Sequence, residues 1–209
     1  MKYLAECMTS LCREQQNAPG YEVLIIDNAS VDGSVEYLQK EWCGEGVRLI
    51  SLPENTGFCH AVNLGIREAK TPYVILLNND TKAEAGFVRG LYDAIRENEK
   101  IFSVSAKMLM WDRPELIDDA GDRYCVLGWA YSRGKGQPAA DYDKSVPVFS
   151  ACGGAAIYRR SVFEEIGYFD EEHFAYLEDL DIGYRARIYG YENRYEPKAA
   201  VLHYGSAST

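Results

Sequence analysis

The sequence is short of positive charge. Its 209 residues include 22 lysines and arginines against 32 aspartates and glutamates, which gives a net charge of −10 at neutral pH. Such an acidic chain is repelled by nucleic acid and by anionic membrane surfaces, so neither is expected as an electrostatic partner. If the protein handles a phosphorylated ligand, it needs a local source of positive charge, and a divalent cation is an obvious one.

Sequence features of several other protein classes are also missing. No apolar run approaches the length of a membrane span, and there is no signal peptide. The six cysteines form no Cys-x-x-Cys pair, and we interpret them as reduced thiols of a cytosolic protein. No Gly-x-Gly-x-x-Gly follows the first predicted strand and no P-loop pattern occurs, which argues against a dehydrogenase-like nucleotide-binding protein.

The remaining composition, 47% hydrophobic and 26% charged, is typical of one globular domain. After an amphipathic first helix, strands are predicted at 21–27, 47–52 and 73–77, with helices after each. This alternation favours an α/β fold in which a mostly parallel, Rossmann-like sheet is flanked by helices.

The second half of the sequence is less regular. We predict a strand at 101–110, a long irregular segment from Trp111 to Val146, and a strand at 155–160. A capping box of Ser161 and Glu164 predicts a short helix. A further helix follows, and the chain ends in an extended segment. In the helix predicted from "LEDLDIGYRARIYGY", the spacing predicts a buried stripe made of Leu177, Leu180, Tyr184 and Ile188, with Asp179 pointing away from it.

Carboxylates follow two of the predicted strands. The stretch "YVILLNNDT" ends an apolar strand in Asn78, Asn79 and Asp80, and Asp27 closes the first strand. Asn and Asp are common turn formers, so one interpretation is a polar loop. The other is a ligand or metal site at the carboxyl end of the sheet, where open α/β sheets bind ligands.

Three further features have two interpretations each. Glu178, Asp179 and Asp181 open a helix, where the helix dipole favours acids, but three carboxylates exceed what a cap requires; Arg185 and Arg187 would relieve part of their repulsion. His203 is either structural or a metal ligand. Gly153 and Gly154 indicate either close packing or a backbone that a ligand approaches.

Six stretches, in this order and spacing, resemble the inverting nucleotide-sugar glycosyltransferases of family 2, and in particular their rhamnosyltransferase-like branch with the GT-A fold. They span most of the chain from Asp27 to Ser208 and read "IIDNASVDGS", "ENTGFCHAVNLGI", "VILLNNDT", "SACGGAAIYRRSVFEEIGYFDE", "FAYLEDLDIGYRARIYGY" and "HYGSAS". The resemblance implies one domain over 1–209, with a nucleotide-sugar-binding half (1–100) and an acceptor and catalytic half (101–209).

The resemblance also implies roles for individual residues. Asp179, paired with Glu178, would be the general base, and Asp80 with His203 would hold Mg²⁺ or Mn²⁺ on the diphosphate. The nucleotide sugar would be bound by Asp80 and by residues of the first half, with Gly153 and Gly154 in the loop that faces the sugar and the acceptor. The first-half residues are Asp27, Asn28, Ser30, Gly57, Asn63 and Asn79.

The expected activity is transfer of a sugar from a UDP- or dTDP-sugar, dTDP-rhamnose among them, to a hydroxyl of a glycan or lipid-linked saccharide, with inversion. The expected setting is cytoplasmic, at the inner face of a membrane that the protein approaches through its acceptor. The sequence departs from the family pattern by lacking the strand that normally precedes the first helix and by ending at Thr209. A truncated, non-catalytic nucleotide- or glycan-binding remnant is therefore the alternative hypothesis.

Overall fold

The computed structural model describes residues 2–14, 18–44 and 46–205. The last residues of the "HYGSAS" stretch lie outside the described part. Six helices occur in it: α1 (Lys2–Glu14), α2 (Ser34–Glu41), α3 (Phe58–Glu68), α4 (Phe87–Arg96), α5 (Arg160–Ile166) and α6 (Glu178–Ile188). The strands are β1 (Val23–Asp27), β2 (Val47–Ser51), β3 (Tyr73–Leu77), β4 (Thr81–Ala83), β5 (Ile101–Met110), β6 (Arg113–Asp119), β7 (Asp122–Tyr124), β8 (Ala130–Ser132), β9 (Val146–Val148), β10 (Ala155–Arg159) and β11 (Glu192–His203).

The α/β fold class is confirmed, and the central sheet is mixed. Its main order is β3-β10-β5-β11-β4, with β6 beside β5 and β9 beside β11. Strands β5 and β11 pair in parallel, whereas β10 is antiparallel to both of its neighbours and β4 is antiparallel to β11. Consequently β3, β5 and β11 run in one direction. Strands β1 and β2 pair in parallel as a separate two-stranded sheet.

Helices cover both faces of the central sheet and form its two main cores. Phe87, Leu91 and Ile95 of α4 are buried against one face. On the other face, Phe163 of α5 and Ile182 of α6 lie in a cluster with Val74 of β3 and Tyr158 of β10. Because α4 packs on one face of the sheet and α6 on the other, the strand ends near the site are held from both sides.

Strands β1 and β3 are not paired with each other, although two helices contact both regions. Leu4 and Met8 of α1 pack with the apolar cluster of β1 and β2, while Ser10 of the same helix accepts a hydrogen bond from Ala83 N in β4. In α3, Gly65 lies against Ile26 of β1, and the helix shares a cluster with β3. In the described part of the chain no strand pairs with both β1 and β3, and the apolar side chains of β1 remain half-exposed.

The segment 111–146 is more regular than the sequence predicts. It contains β6, the hairpin β7–β8, a 3₁₀ turn at Ala139–Asp141 and the start of β9. The strands are three to seven residues long and are separated by glycines and prolines, so their periodicity is too short to be detected.

Two predictions about the helices are wrong. The predicted stripe of α6 is mostly exposed: Leu177 is 58% exposed and Ile188 66%, whereas the buried residues are Glu178, Ile182, Gly183 and Ala186. The helix is packed through small residues, which a search for large apolar side chains overlooks. The Ser161 capping box does not form, because α5 begins at Arg160 and Glu164 instead accepts a hydrogen bond from the Tyr168 hydroxyl.

Candidate active site

Asp80 lies in a tight turn between β3 and β4. The backbone N–H and the hydroxyl of Thr81 both donate to Asn78 O, which closes the turn, and Asp80 is buried. Tyr204 N donates to Asp80 O and so attaches the end of β11 to this turn. An apolar strand thus ends in a carboxylate that is fixed at the sheet edge.

His203, at the end of β11, faces Asp80. Its Nε2 lies 3.5 Å from Asp80 Oδ1, and its Nδ1 is 2.5 Å from Asp118 Oδ2. Burial of the imidazole opposes protonation, but the bonds and charges of Asp118 and Asp80 outweigh it and raise the pKa of His203 to about 9. Within the described ranges no group of three or more His, Cys, Asp or Glu side chains is arranged to hold a metal by itself.

The glycine loop before β10 joins this turn to α6. Asn78 N donates to Gly154 O at 2.9 Å, and Gly153 N lies 3.4 Å from Asp179 Oδ2. A Cβ on Gly154 would lie 3.3 Å from the side-chain Nδ2 of Asn78 and 3.3 Å from Met108 Cε, so the loop packs tightly against these two side chains. The end of β3 and the acidic start of α6 therefore flank the same two glycines.

The three acids of α6 have different environments. Burial raises the pKa of Asp179 and of Glu178, and the charge of Asp179 adds to the effect on Glu178, one of whose buried carboxylate oxygens has no hydrogen-bond partner. Asp181 instead forms an ion pair with Arg185 at 2.6 Å. Of the two arginines predicted to relieve the acids, Arg185 does so, whereas Arg187 lies over the Phe149 ring.

Two further acids, the buried Asp119 and the half-buried Asp122, were not singled out from the sequence. Burial, with the charge of Asp179 next in importance, raises the pKa of Asp122 to about 8, and burial raises that of Asp119 to about 6. Asp122 accepts a hydrogen bond from the Ser150 hydroxyl, and Asp119 accepts one from Ser132. The feature of the sequence that could have revealed them is the acidic run "IDDAGD" (117–122), which lies within the segment that was predicted to be irregular.

Several of the residues predicted to bind the nucleotide lie together, at or just after the carboxyl ends of β1 and β2. They are Asp27, Asn28, Ser30 and Gly57. Asp27 is buried and accepts two long hydrogen bonds from Ser30 N, while the Ser30 side chain is exposed. Asn28 bonds to Asn55, Thr56 and the Gly57 carbonyl. Gly57 has φ +83°, and a Cβ there would lie 2.9 Å from the Phe174 ring and carbonyl.

The two remaining predicted asparagines differ. Asn63 is buried, and its amide bonds to both Phe169 N and Phe169 O and to Glu171, so it braces the segment before α6. Asn79 is exposed beside Asp80. Its side chain faces solvent, where a ligand can reach it.

A mostly apolar pocket of about 190 Å³ opens beside the start of α6. The Phe149 and Tyr184 rings stack at 5.7 Å, and Tyr124 lies 5.0 Å from Phe149. The pocket is lined by Tyr124, Phe149, His173, Leu177, Leu180, Asp181 and Tyr184. Stacked aromatic faces next to carboxylates are suited to an apolar ring face that carries hydroxyl groups.

The family model for glycosyl transferase family 2 matches residues 1–167. The chain belongs to this family. The N-acetylglucosaminyl-diphospho-decaprenol L-rhamnosyltransferase of Mycobacterium tuberculosis is 31% identical over 90% of this chain and 67% of its own length. Poly-beta-1,6-N-acetyl-D-glucosamine synthase of Staphylococcus epidermidis is 21% identical over 87% of this chain and 42% of its own.

Solved structures share the GT-A fold with this family 2 chain. GalNAc-T7 with UDP, GalNAc and Mn²⁺ matches with a TM-score of 0.72 at 17% identity, over 92% of this chain and 40% of that one. The mannosyltransferase PcManGT of Pyrobaculum calidifontis with GDP-Man and Mn²⁺ matches with a TM-score of 0.71 at 16% identity, over 99% and 54%. This chain thus spans about half the length of PcManGT and less than half the length of GalNAc-T7. In the residues that the structure describes, none of the helices is both long and apolar enough to cross a membrane.

Proposed function

We propose that this chain transfers a sugar from a UDP- or dTDP-sugar to a hydroxyl of a lipid-linked saccharide, with inversion and with help from a divalent cation. The observation that carries the proposal is the glycine loop, which contacts both the β3 turn through Gly154 and Asp179 through Gly153. A donor held at the turn and an acceptor activated by Asp179 would therefore meet over one short loop.

Asp80 and His203 are suited to hold Mg²⁺ or Mn²⁺. The His203 Nε2 lies beside Asp80 Oδ1, while Asp118 engages Nδ1; a ligating histidine commonly donates its second ring N–H to such a carboxylate. Two protein ligands are few, but these cations leave several positions for diphosphate oxygens and water. When bound, the cation would neutralise charge that builds on the departing diphosphate.

Asp179 is the proposed general base. In a single displacement, the acceptor hydroxyl oxygen bonds to the anomeric carbon, the bond from that carbon to the diphosphate breaks, and the hydroxyl proton goes to the base. Attack opposite the leaving group inverts the anomeric centre. Burial raises the pKa of Asp179, which makes its carboxylate a stronger proton acceptor, and general bases typically contribute 10²–10⁴-fold.

The apolar pocket beside α6 is the proposed acceptor site. Its rings, Tyr124, Phe149 and Tyr184, would stack on a sugar face, and Asp179 lies at the start of the helix that carries Tyr184. The names of the two relatives refer to N-acetylglucosamine units, in one case linked to a lipid through a diphosphate. We therefore propose an acceptor that ends in an N-acetylhexosamine on a lipid diphosphate, and rhamnose as the first sugar to test.

The two-stranded sheet favours an alternative, binding without turnover. Asp27 and Asn28 lie at the end of β1, which is not paired to the sheet that carries Asp80 and Asp179. If the two-stranded sheet shifts relative to the central sheet, nucleotide could bind at β1 while Asp80 and Asp179 stay misaligned with it. The same chain would then act as a nucleotide- or glycan-binding module.

Calorimetric titration with UDP and dTDP, with and without Mn²⁺, tests donor binding first, and a transfer assay follows. We expect cation-dependent binding that Asp80→Ala abolishes and His203→Ala weakens. Asp179→Asn should leave the donor affinity within about twofold and lower transfer by about 10²-fold or more. Cation-dependent binding without transfer to any lipid-linked saccharide would favour the binding module, and unchanged transfer by Asp179→Asn would exclude Asp179 as the base.

A further inference from the structure

The hairpin β7–β8 ends in an apolar tip that no other part of the described chain covers. The tip, residues 125–129, is closed by bonds from Cys125 N to Trp129 O and from Gly128 N to Cys125 O. Val126 is fully exposed, Leu127 is 81% exposed and Trp129 72%. Three large apolar side chains on a turn this well bonded are costly in water, which suggests that the tip has another environment.

The side chains of the hairpin change character from tip to base. Tyr124 and Tyr131 follow the tip on the two strands, and they are 43% and 52% exposed. Arg123 lies opposite Tyr131, and together with Arg133 and Lys135, which are nearer the base of the hairpin, it lines an open pocket of about 290 Å³. Arg133 is held over the Tyr142 ring, and Lys135 reaches Asp118, so these cations have fixed positions in an otherwise acidic protein.

This order matches the layers of a bilayer surface. Aliphatic side chains suit the acyl boundary, tryptophan and tyrosine prefer the interface, and arginine and lysine suit the level of the lipid phosphates. A protein partner would instead require a groove that fits a convex, fully exposed tip, whereas a fluid bilayer takes up a projecting tip of any shape. The whole chain is acidic, so we expect the apolar tip to supply most of the affinity, with these local cations at the level of the lipid phosphates.

The hairpin also lies next to the proposed acceptor pocket. Tyr124 packs 5.0 Å from Phe149, and both rings line that pocket. Asp122 N, at the base of β7, donates to Ser150 O, close to where α6 packs through Gly183. A surface bound at the tip would therefore bring lipid-linked material to the side of the molecule that carries Asp179.

We propose that the β7–β8 hairpin docks this protein on a lipid bilayer, with Val126, Leu127 and Trp129 inserted at the acyl boundary and Arg123, Arg133 and Lys135 at the phosphates. The inference extends the proposed function by naming the surface that presents the acceptor. Vesicle binding is measured without donor, cation or acceptor, so a failure of docking can be distinguished from a failure of transfer.

Co-sedimentation with phosphatidylcholine–phosphatidylglycerol vesicles tests the proposal. We expect the wild-type chain to bind and Val126→Ser/Leu127→Ser to bind at least about tenfold more weakly, because two apolar side chains no longer leave water. Val126→Ser alone should weaken binding several-fold. Val31→Ser removes an equally exposed valine elsewhere and should have no effect.

Fluorescence of the same mixtures tests the depth of insertion. Brominated phosphatidylcholine should quench the wild-type emission, and most of the quenching should be lost in Trp129→Phe, which keeps Trp42 and Trp111. Because the substituted side chains are exposed, thermal unfolding should be unchanged in every variant. The proposal is overturned if the wild-type chain does not bind vesicles or if the double variant binds them equally well. If the chain does not bind vesicles but self-associates in sedimentation velocity, and the tip substitutions abolish that association, the tip is instead a contact between copies of this chain.

Discussion

Two asparagines that the family resemblance assigns to the nucleotide have opposite surroundings. The amide of Asn63 is buried and bonds to Phe169 and Glu171, whereas the side chain of Asn79 is exposed beside Asp80. At the scale of a single residue, this contrast separates a side chain that supports the site from one that a ligand can touch.

We expect Asn63→Ala to lower the free energy of unfolding by about 2 kcal/mol, because the N–H and C=O of Phe169 lose their partner in a buried position. Asn79→Ala should leave stability within about 0.5 kcal/mol and weaken nucleotide binding. Urea unfolding and calorimetry on the same samples measure both quantities. A stable Asn63→Ala with impaired nucleotide affinity would instead make Asn63 a direct ligand contact.

At the scale of elements, the position of α6 depends on one glycine. A Cβ on Gly183 would lie 2.4 Å from Ser150 Cβ and 2.9 Å from its Cα, and Ser150 in turn holds Asp122. Gly183 is one turn after Asp179, so the close approach of the helix to 149–150 also fixes the height of the proposed base above the glycine loop.

Gly183→Ala should therefore destabilise the protein by about 1–3 kcal/mol through overpacking and should lower transfer as α6 moves away. Gly44→Ala is the matched control, since a Cβ there meets nothing within 4 Å and the residue has no positive φ. Its free energy of unfolding should change by no more than about 0.5 kcal/mol. Equal stability of the two variants would show that the 149–150 segment adapts to the larger residue.

At the scale of the whole molecule, an acidic chain gathers several of its acids in one buried region. Burial raises the pKa of Asp122 to about 8 and that of Asp119 to about 6, and it also raises the pKa values of Asp179 and Glu178. In the unfolded chain these groups ionise near pH 4. The folded state therefore binds more protons between about pH 4 and about pH 8, and its stability falls as the pH rises through this range.

We expect the free energy of unfolding of the cation-free protein to fall by at least about 1 kcal/mol from about pH 5 to about pH 8, since one unit of pKa shift corresponds to about 1.4 kcal/mol. Asp122→Asn cannot ionise and should flatten this dependence. Asp93→Asn, at an exposed acid in α4, should not. Urea unfolding at a series of pH values measures the slopes, and an unchanged slope in Asp122→Asn would mean that Asp122 is already ionised at neutral pH.

Local patterns in the sequence were sufficient for most elements of the fold. The strands β1, β2, β3 and β5 and the amphipathic α4 lie within a few residues of their predicted positions. The strands are short, mostly apolar runs and α4 has a helical period, and both are local patterns in the sequence. The hairpin β7–β8 was missed because its strands are three residues long, and the buried face of α6 was misassigned because that face is made of small residues.

The sequence by itself determined the family and the chemical groups of the site, because ordered motifs such as "NND" and "LEDLD" specify residue types and spacing. Only the tertiary structure decided which groups meet: Gly153 with Asp179, His203 with Asp80 and Asp118, and Asp122 with Ser150. The partners in these contacts are 26 to 123 residues apart in the chain. Their proximity depends on how strands from both halves of the sequence pair in one sheet, and local periodicity carries no information about that pairing.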